Sequence, residues 1–249
     1  GSHFSLPSAQ KTRKYLPEGN PSWKIPPSYL TPRSIESPTA LEALLGCPLK
    51  WTLQYKARVR ESLPFMPERE LLYGTLAHQI VGDYLTNFIG QDPPKPAAAK
   101  EAVLRLFDEQ VEAEAATLIK PGMDRERTYV RQTIGRAAGV LVELLGRGGY
   151  RIDSIEEEHA GSFALGQLQG RTDLIVRRVK DGKKAVIDLK WSGDKRKIQA
   201  LKEGTALQLA GYAYFLRAKD VWPSTAYFLF PSAQLYSTNQ KDFPGSIVV

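Results

Sequence analysis

Apolar residues change their spacing along the chain near residue 150. Before that point they recur every three or four positions, which predicts amphipathic helices. After it they alternate with polar residues and are often β-branched, which predicts strands, followed by one more helix and a last strand. This order predicts an α/β fold with a mixed central sheet flanked by helices and preceded by a helical region. We expect one domain over residues 37–249, with a helical part over 37–149 and a sheet-containing part over 150–249.

Proline positions predict where several helices begin. Ser37-Pro38 supplies an N-cap and a first-turn proline, and Cys47-Pro48 ends this helix and starts the next. The residues expected on the inward face of the first helix are Leu41, Leu44 and Leu45. Three longer helices are predicted to begin at Pro67 and to span about 98–118 and about 125–145.

Three strands are predicted after the helices, at about 150–158, 167–178 and 184–190. A helix at about 200–218 and a strand at about 225–230 complete the pattern. Asp181-Gly182 is a hairpin turn signal between the second and third strands. A two-residue turn at this position would place Asp173 directly opposite Lys190.

The first 36 residues lack this periodicity. Residues 4–36 are rich in Pro, Ser, Lys and Arg, so we expect an extended arm. Gly1-Ser2-His3 is typical of the remnant of a cleaved expression tag. Residues 1–36 are therefore predicted to lie outside the domain.

The charge favours an anionic partner. The formal net charge is +7 and the pI is about 9.4, which favours nucleic acid first and an acidic membrane surface second. A basic soluble protein without such a partner is the alternative. The one cysteine, Cys47, can form no internal disulfide, which favours a reducing, intracellular compartment. No run of about 18 apolar residues predicts a membrane helix, and we expect no membrane partner.

Two carboxylates and a lysine are predicted to meet on one face of the sheet. Asp188 and Lys190 are two residues apart in a strand, so their side chains point the same way. The predicted hairpin brings Asp173 onto that face. Neighbouring carboxylates repel unless a cation lies between them, and a hard divalent ion suits oxygen ligands. A cross-strand salt bridge between Asp173 and Lys190 is the alternative.

Two further pairs share helix faces. Gly74 and His78 lie one turn apart, and His78 is either a ligand or a buried core histidine. Gln208 and Tyr212 also lie one turn apart, either at a site or on an ordinary polar edge. The predicted basic loop before that helix contains Lys195, Arg196 and Lys197.

These four pairs, in this order, resemble the RecB-family branch of the PD-(D/E)XK nucleases. The family pattern is G-x-x-x-H, G-x-x-D, (D/E)-x-K and Q-x-x-x-Y. The matching residues are Gly74/His78, Gly170/Asp173, Asp188/Lys190 and Gln208/Tyr212. The resemblance covers about residues 37–230 and implies a restriction-endonuclease-like core.

The resemblance also implies a role for each residue. Asp173, Asp188, His78 and the carbonyl of Leu189 would bind the metal, and Lys190 would position the attacking water. Gln208 and Tyr212 would hold the substrate or brace the site, together with Lys195, Arg196 and Lys197. The extra acidic residue that many members carry would be Glu157 or Glu158, of which we favour Glu158.

The implied activity is phosphodiester hydrolysis in DNA with Mg²⁺ or Mn²⁺. The family suggests an exonuclease or a nuclease for single strands or ends in DNA repair or recombination. A helicase or another repair protein is an expected partner. The alternative is a catalytically silent DNA-binding or partner-binding module. The segment around Cys47 resembles one that supplies an iron–sulfur ligand in AddB-like members, but such a cluster needs four cysteines, so we expect none from this chain.

Overall fold

The computed structural model describes residues 26–29, 33–59, 69–163, 166–192, 194–219 and 221–249. The chain divides into two units, Gly1–Thr31 and Pro32–Val249. The described part of the first unit contains a 3₁₀ turn at Pro27–Tyr29. The second unit contains every other element described below.

Seven helices are described in the second unit. They are α1 (Pro38–Gly46), α2 (Pro48–Trp51), α3 (Arg69–Thr86), α4 (Pro96–Glu114), α5 (Asp124–Gly148), α6 (Asp194–Lys202) and α7 (Leu207–Leu216). A π-helical turn at Thr52–Lys56 follows α2, and a 3₁₀ turn at Ala116–Ile119 follows α4. The predicted N-cap is confirmed, because the Ser37 hydroxyl accepts a hydrogen bond from the amide of Ala40 at 3.1 Å.

The described strands form one mixed sheet. They are β1 (Ile35–Glu36), β2 (Tyr150–Phe163), β3 (Gly166–Arg178), β4 (Lys184–Lys190), β5 (Ser224–Leu229), β6 (Gln234–Ser237) and β7 (Ile247–Val248). The sheet order is β1-β3-β4-β5-β6-β7, and β2 also pairs with β3. The β2–β3 and β3–β4 pairs are antiparallel, whereas β4–β5 is parallel. The predicted α/β class with a mixed central sheet and a preceding helical region is confirmed.

The helical region and the sheet share one hydrophobic core. Leu76 of α3, Phe107 of α4 and Leu141 of α5 belong to the same buried cluster as Ile187 of β4 and Phe228 of β5. A second cluster packs α7 against the alternate residues of the same strands. Its buried members are Val186, Leu201, Leu209, Tyr212, Tyr227 and Leu229. Both faces of β4 are therefore covered, which explains its nearly continuous apolar sequence.

Several predicted helix features are wrong. Leu45 is 70% exposed, and the buried residues of α1 are Pro38 and Ala40, because α1 packs through its first turn. The single helix predicted at 200–218 is two helices, and Gly204 adopts a left-handed conformation with φ +68° between them. The helix predicted to reach residue 118 ends at Glu114. The predicted start at Pro67 lies outside the described residues.

The end of the predicted arm belongs to the sheet. Ile35 and Glu36 pair with β3 in parallel, with Ile35 next to Gln167. Glu36 is 1% exposed, and its carboxylate accepts from the amide of Arg33 at 3.1 Å and from the indole of Trp51 at 3.5 Å. The boundary predicted at residue 36 is therefore wrong for these last arm residues. Strands β6 and β7 also had no predicted counterpart.

The β3–β4 hairpin has a longer turn than predicted. Leu174 pairs with Ile187 and Arg177 with Lys184, so the register is shifted by two residues. Asp173 is therefore opposite Asp188 on the neighbouring strand, rather than opposite Lys190 as predicted. Because side chains alternate with a period of two, this shift leaves all three residues on the predicted face.

Two glycines allow the start of α1 to dock on the rest of the fold. A Cβ on Gly211 of α7 would lie 2.8 Å from Cγ and 2.9 Å from Cβ of Pro38. A Cβ on Gly170 of β3 would lie 3.0 Å from Cδ of the same proline. Pro38 therefore packs tightly between α7 and β3, and the closer of the two contacts, with Gly211, leaves no room for a Cβ.

We predict that Gly211→Ala lowers the free energy of unfolding by about 1–3 kcal/mol, because the new methyl group overlaps the Pro38 ring. Urea unfolding measures this change. Gly46→Ala is the matched control, since a Cβ there meets nothing within 4 Å and alanine favours the helix by up to about 1 kcal/mol. Equal stability of the two variants would contradict the proposed packing.

Candidate metal centre

A cleft of about 670 Å³ lies between α3 and the strands β2, β3 and β4. Polar and charged side chains from all four elements line it. Those that concern the chemistry are His78, Glu156, Arg171, Asp173 and Lys190, with Trp191 beside them. The cleft therefore brings together residues from three separate parts of the sequence.

The strands β3 and β4 supply two carboxylates and one ammonium group. The Lys190 Nζ lies 2.7 Å from Asp188 Oδ2 and 3.8 Å from Asp173 Oδ2. Asp173 Oδ2 also accepts a hydrogen bond from the amide of Leu189 at 2.8 Å, which fixes its orientation. The alternative of a simple Asp173–Lys190 salt bridge does not describe this arrangement, because Lys190 lies closer to Asp188.

Asp188 is fully buried, and little in its surroundings offsets the negative charge of its carboxylate. Its exposed fraction is 0%, and apart from the ion pair with Lys190 neither carboxylate oxygen has a hydrogen-bond partner among the described residues. Burial raises the pKa of Asp188, and the charge of Asp173 adds to that increase. A buried carboxylate in this state favours a nearby cation.

Lys190 remains a cation in this environment. Burial alone would lower its pKa, but the carboxylates of Asp188 and Asp173 outweigh burial and raise it. Its side chain is 22% exposed and lines the cleft. Lys190 can therefore present positive charge to an anion in the cleft.

The helix α3 places His78 at the cleft. Its Nδ1 lies 3.7 Å from Glu156 Oε1 and 3.7 Å from Asp173 Oδ1. Burial alone would lower the pKa of His78, but the two carboxylates outweigh burial and raise it. The imidazole ring is 24% exposed, so His78 faces the cleft rather than a closed apolar core.

Glu156 takes the acidic position that we had assigned to Glu158. Glu156 lies level with Asp173, whereas Glu157 and Glu158 are exposed. A register irregularity between Ile152 and Ser154 precedes it, and Glu156 has a left-handed backbone with φ +50°. Neither irregularity has a signal in the sequence, so the resemblance that suggested Glu157 or Glu158 could not identify Glu156 as the acid beside His78. The pKa of Glu156 is lowered by the neighbouring His78 and by Arg171.

His78, Glu156 and Asp173 can hold a metal ion together. One ligand atom from each residue lies within 4.8 Å of the others. The donors are one imidazole nitrogen and two carboxylate oxygens, and Lys190 forms ion pairs with both Asp173 and the buried Asp188. This donor set fits a divalent cation that accepts oxygen and nitrogen ligands.

Gln208 and Tyr212 form a buried polar chain behind the strands. The Lys197 Nζ donates to Gln208 Oε1 at 3.2 Å, and the Gln208 amide donates to the Tyr212 hydroxyl at 2.9 Å. Burial lowers the pKa of Lys197 and raises that of Tyr212, with Asp188 adding to the second shift. All three residues are buried, which favours bracing over direct contact with a substrate.

The predicted basic loop is the first part of α6. Lys195 and Arg196 are exposed there, whereas Lys197 turns inward toward Gln208 and Glu42, whose carboxylate lies 3.8 Å from its Nζ. An ammonium group that is held this way is not available to a phosphate in solvent. Of the three basic residues, only Lys195 and Arg196 therefore remain candidates for substrate contact.

Trp191 contributes to the cleft and was not predicted from the sequence. Its ring packs against Tyr73 and Phe230, with centroids 5.6 Å and 6.2 Å away. A Cβ on Gly74 would lie 3.4 Å from the Trp191 Cβ, which is ordinary contact distance. Gly74 therefore keeps the helix close to Trp191 without being strictly required there.

The chain matches one protein-family model. The model is described as the PD-(D/E)XK nuclease superfamily and covers residues 36–243, well over half of the chain. No curated protein matches the chain. Among the described residues, no helix combines the length and the apolar character that crossing a membrane requires.

We predict that Gln208→Ala lowers the free energy of unfolding by about 1–3 kcal/mol, because Lys197 and Tyr212 lose a buried partner. The measurement is urea unfolding beside Gln199→Ala. Gln199 is an exposed glutamine of α6, and its replacement should change stability by no more than about 0.5 kcal/mol. If the two variants lost the same stability, the buried hydrogen bonds of Gln208 would not contribute to the stability of the fold.

Proposed function

The chain belongs to the PD-(D/E)XK nuclease superfamily, and on that premise we propose that it is a metal-dependent deoxyribonuclease. Members of this superfamily are generally nucleases that use divalent metals, and a nuclease domain binds nucleic acid. The proposed reaction is hydrolysis of phosphodiester bonds in DNA. The net charge of +7 supports an anionic polymer as the substrate.

One observation carries the proposal. Asp188 is completely buried and has Lys190 as its one ion-pair partner among the described residues, beside a cleft where His78, Glu156 and Asp173 converge. Without a metal, the free-energy cost of burying this charged carboxylate would be only partly offset by Lys190. A divalent cation in the cleft would stabilise all of these acidic groups in their charged form.

We assign the metal to His78, Glu156, Asp173 and Asp188. The carbonyl of Leu189 is a further proposed ligand, since the amide of the same residue already orients Asp173. A bound divalent cation would supply Lewis-acid chemistry, lowering the pKa of a water and offsetting phosphate charge. We propose Mg²⁺ or Mn²⁺, because both accept carboxylate and carbonyl oxygens.

Lys190 acts in this proposal by positioning the attacking water. Its amino group lines the cleft and lies 2.7 Å from Asp188 Oδ2. There it can hold the attacking water by a hydrogen bond and stabilise charge that develops on the phosphate. Asp188 and Asp173 hold the ammonium group in place from behind.

We propose that the protein belongs to the RecB-like branch and acts on DNA ends or single strands in repair or recombination. The order of the pairs Gly74/His78, Gly170/Asp173, Asp188/Lys190 and Gln208/Tyr212 supports that branch. A helicase or another repair protein is the proposed partner. The free thiol of Cys47 is compatible with the proposed intracellular setting.

We predict that Mn²⁺ or Mg²⁺ raises the melting temperature of the protein, because an ion that binds only the folded state stabilises it. Glu156→Gln should weaken the ion's affinity by at least about tenfold, since one charged ligand is lost. Titration calorimetry gives the affinities. Glu158→Gln is the matched control and should bind the ion as the unchanged protein does. Loss of binding in the Glu158 variant alone would restore the original assignment.

We predict that Lys190→Ala and Asp188→Ala each slow DNA cleavage by at least about 10²-fold, because each removes charge that is aimed at the reacting phosphate or the metal. The assay uses end-labelled single-stranded and double-stranded DNA with Mg²⁺, Mn²⁺ or EDTA. Lys120→Ala, an exposed lysine remote in sequence from these motifs, is the control.

Asp188→Ala should still bind DNA, because Asp188 is fully buried and cannot contact it directly. Metal-dependent cleavage that survives both substitutions would remove these residues from the mechanism. Binding without cleavage by the unchanged protein would favour a catalytically silent module.

A further inference from the structure

An aromatic surface lies at the carboxyl end of α7, away from the metal-binding residues. It consists of Tyr214, Arg217 and Trp222, which we call the stacking platform. We propose that the stacking platform binds the unpaired bases of single-stranded nucleic acid. This inference rests on the proposed nuclease function and names the part of the substrate that the platform would hold.

The platform is held in shape by its own contacts. The Arg217 Cζ lies 3.6 Å from the centroid of the Tyr214 ring and 5.7 Å from that of Trp222. The two ring centroids are 6.4 Å apart with an interplanar angle of 54°. The guanidinium group therefore connects the two rings through cation–π contacts.

Further hydrogen bonds are made by residues next to the platform. Ala218 and Val221 exchange two backbone hydrogen bonds of 3.1 Å and 3.0 Å. The Tyr214 hydroxyl donates to the carbonyl of Ser162 at the end of β2. Since these contacts already order the rings, little side-chain entropy would be lost when a base stacks on them.

Exposure and charge together indicate the partner. Trp222 is 55% exposed, although a tryptophan is normally well buried. Arg217 and the neighbouring Lys219 are exposed and form no ion pair with the described residues. An exposed aromatic face beside cations is a feature with which proteins bind single strands, because a base stacks on the ring and phosphates lie near the cations.

The strand β3 connects the platform with the metal-binding residues. Ser162 pairs with Gln167, and the strand continues from there to Asp173. At about 3.3 Å per residue, this stretch spans about 20 Å. The platform would therefore hold nucleotides several positions away from the phosphate that is cleaved.

Single strands fit this surface better than duplex DNA. The bases of a duplex already stack on one another, so their faces are not available to Trp222. A protein partner could also cover an exposed tryptophan, but the cations Arg217 and Lys219 favour a polyanion. The test below distinguishes these partners.

The first experiment measures binding of a fluorescein-labelled 20-nucleotide oligothymidylate and of a 20-base-pair duplex, both in EDTA so that no cleavage occurs. Trp222→Ala should weaken single-strand binding by about tenfold, the size expected for loss of one stacked base. Duplex binding should stay unchanged. Trp222→Phe should retain most of the affinity, and Val221→Ala is the matched control, an exposed apolar neighbour without a ring.

Tryptophan fluorescence provides a second readout. The chain has four tryptophans, of which Trp191 lines the cleft. Unlabelled oligothymidylate should quench the unchanged protein more strongly than Trp222→Phe, because stacking quenches the ring that contacts the base. Because Trp222→Phe keeps an aromatic ring, this comparison tests stacking on Trp222 even if Trp222→Ala fails to fold.

The third readout is activity. Trp222→Ala should raise KM for a long single strand and leave kcat unchanged. Its rate on the p-nitrophenyl ester of thymidine 5′-phosphate should not change, since this substrate is too short to reach the platform.

Unchanged single-strand affinity, or equal weakening for single strand and duplex, would overturn the inference. A change only in the association state, measured by sedimentation, would assign the surface to a protein partner instead. A protein that binds single strands through Trp222 but cleaves no DNA would retain the platform and refute the proposed nuclease. The experiments can therefore contradict the stacking platform without contradicting the nuclease function, and the reverse.

Discussion

The burial of one carboxylate, that of Asp188, constrains the whole site. It lies in a strand covered on both faces, where water cannot solvate it. The charge is tolerable only if cations stay close, and Lys190 at 2.7 Å is the one supplied by the same strand. The position of Lys190, the raised pKa of Asp188 and the fit of a divalent cation all follow from this constraint.

The rest of the fold serves to keep that strand and its neighbours in place. On one side, the core shared by α3, α4, α5 and the sheet fixes His78 opposite Asp173. On the other side, the hydrogen bonds from Lys197 through Gln208 to Tyr212 lie behind the same strand. These linked hydrogen bonds keep the three side chains rigid, because each buried polar group depends on the next for its partner.

Local patterns predicted much of the site because they depend on short-range geometry. Asp188 and Lys190 share a face because strand side chains alternate, and Asp173 stayed on that face even though the register moved by two. The same reasoning failed for Leu45, which a helical pattern assigned to the core and which is 70% exposed. The pattern identifies an apolar residue, but not whether another element covers it.

The sequence by itself determined the α/β class, the order of the paired motifs and the residues that lie together on one strand or one helix turn. The tertiary structure alone decided that Glu156 rather than Glu158 approaches His78, that Lys197 turns inward, and that Ile35–Glu36 joins the sheet. The physical reason is the range of the interactions. Periodicity within an element is set by neighbouring peptide bonds, whereas a strand irregularity or a buried ion pair is stabilised by residues far away in the sequence.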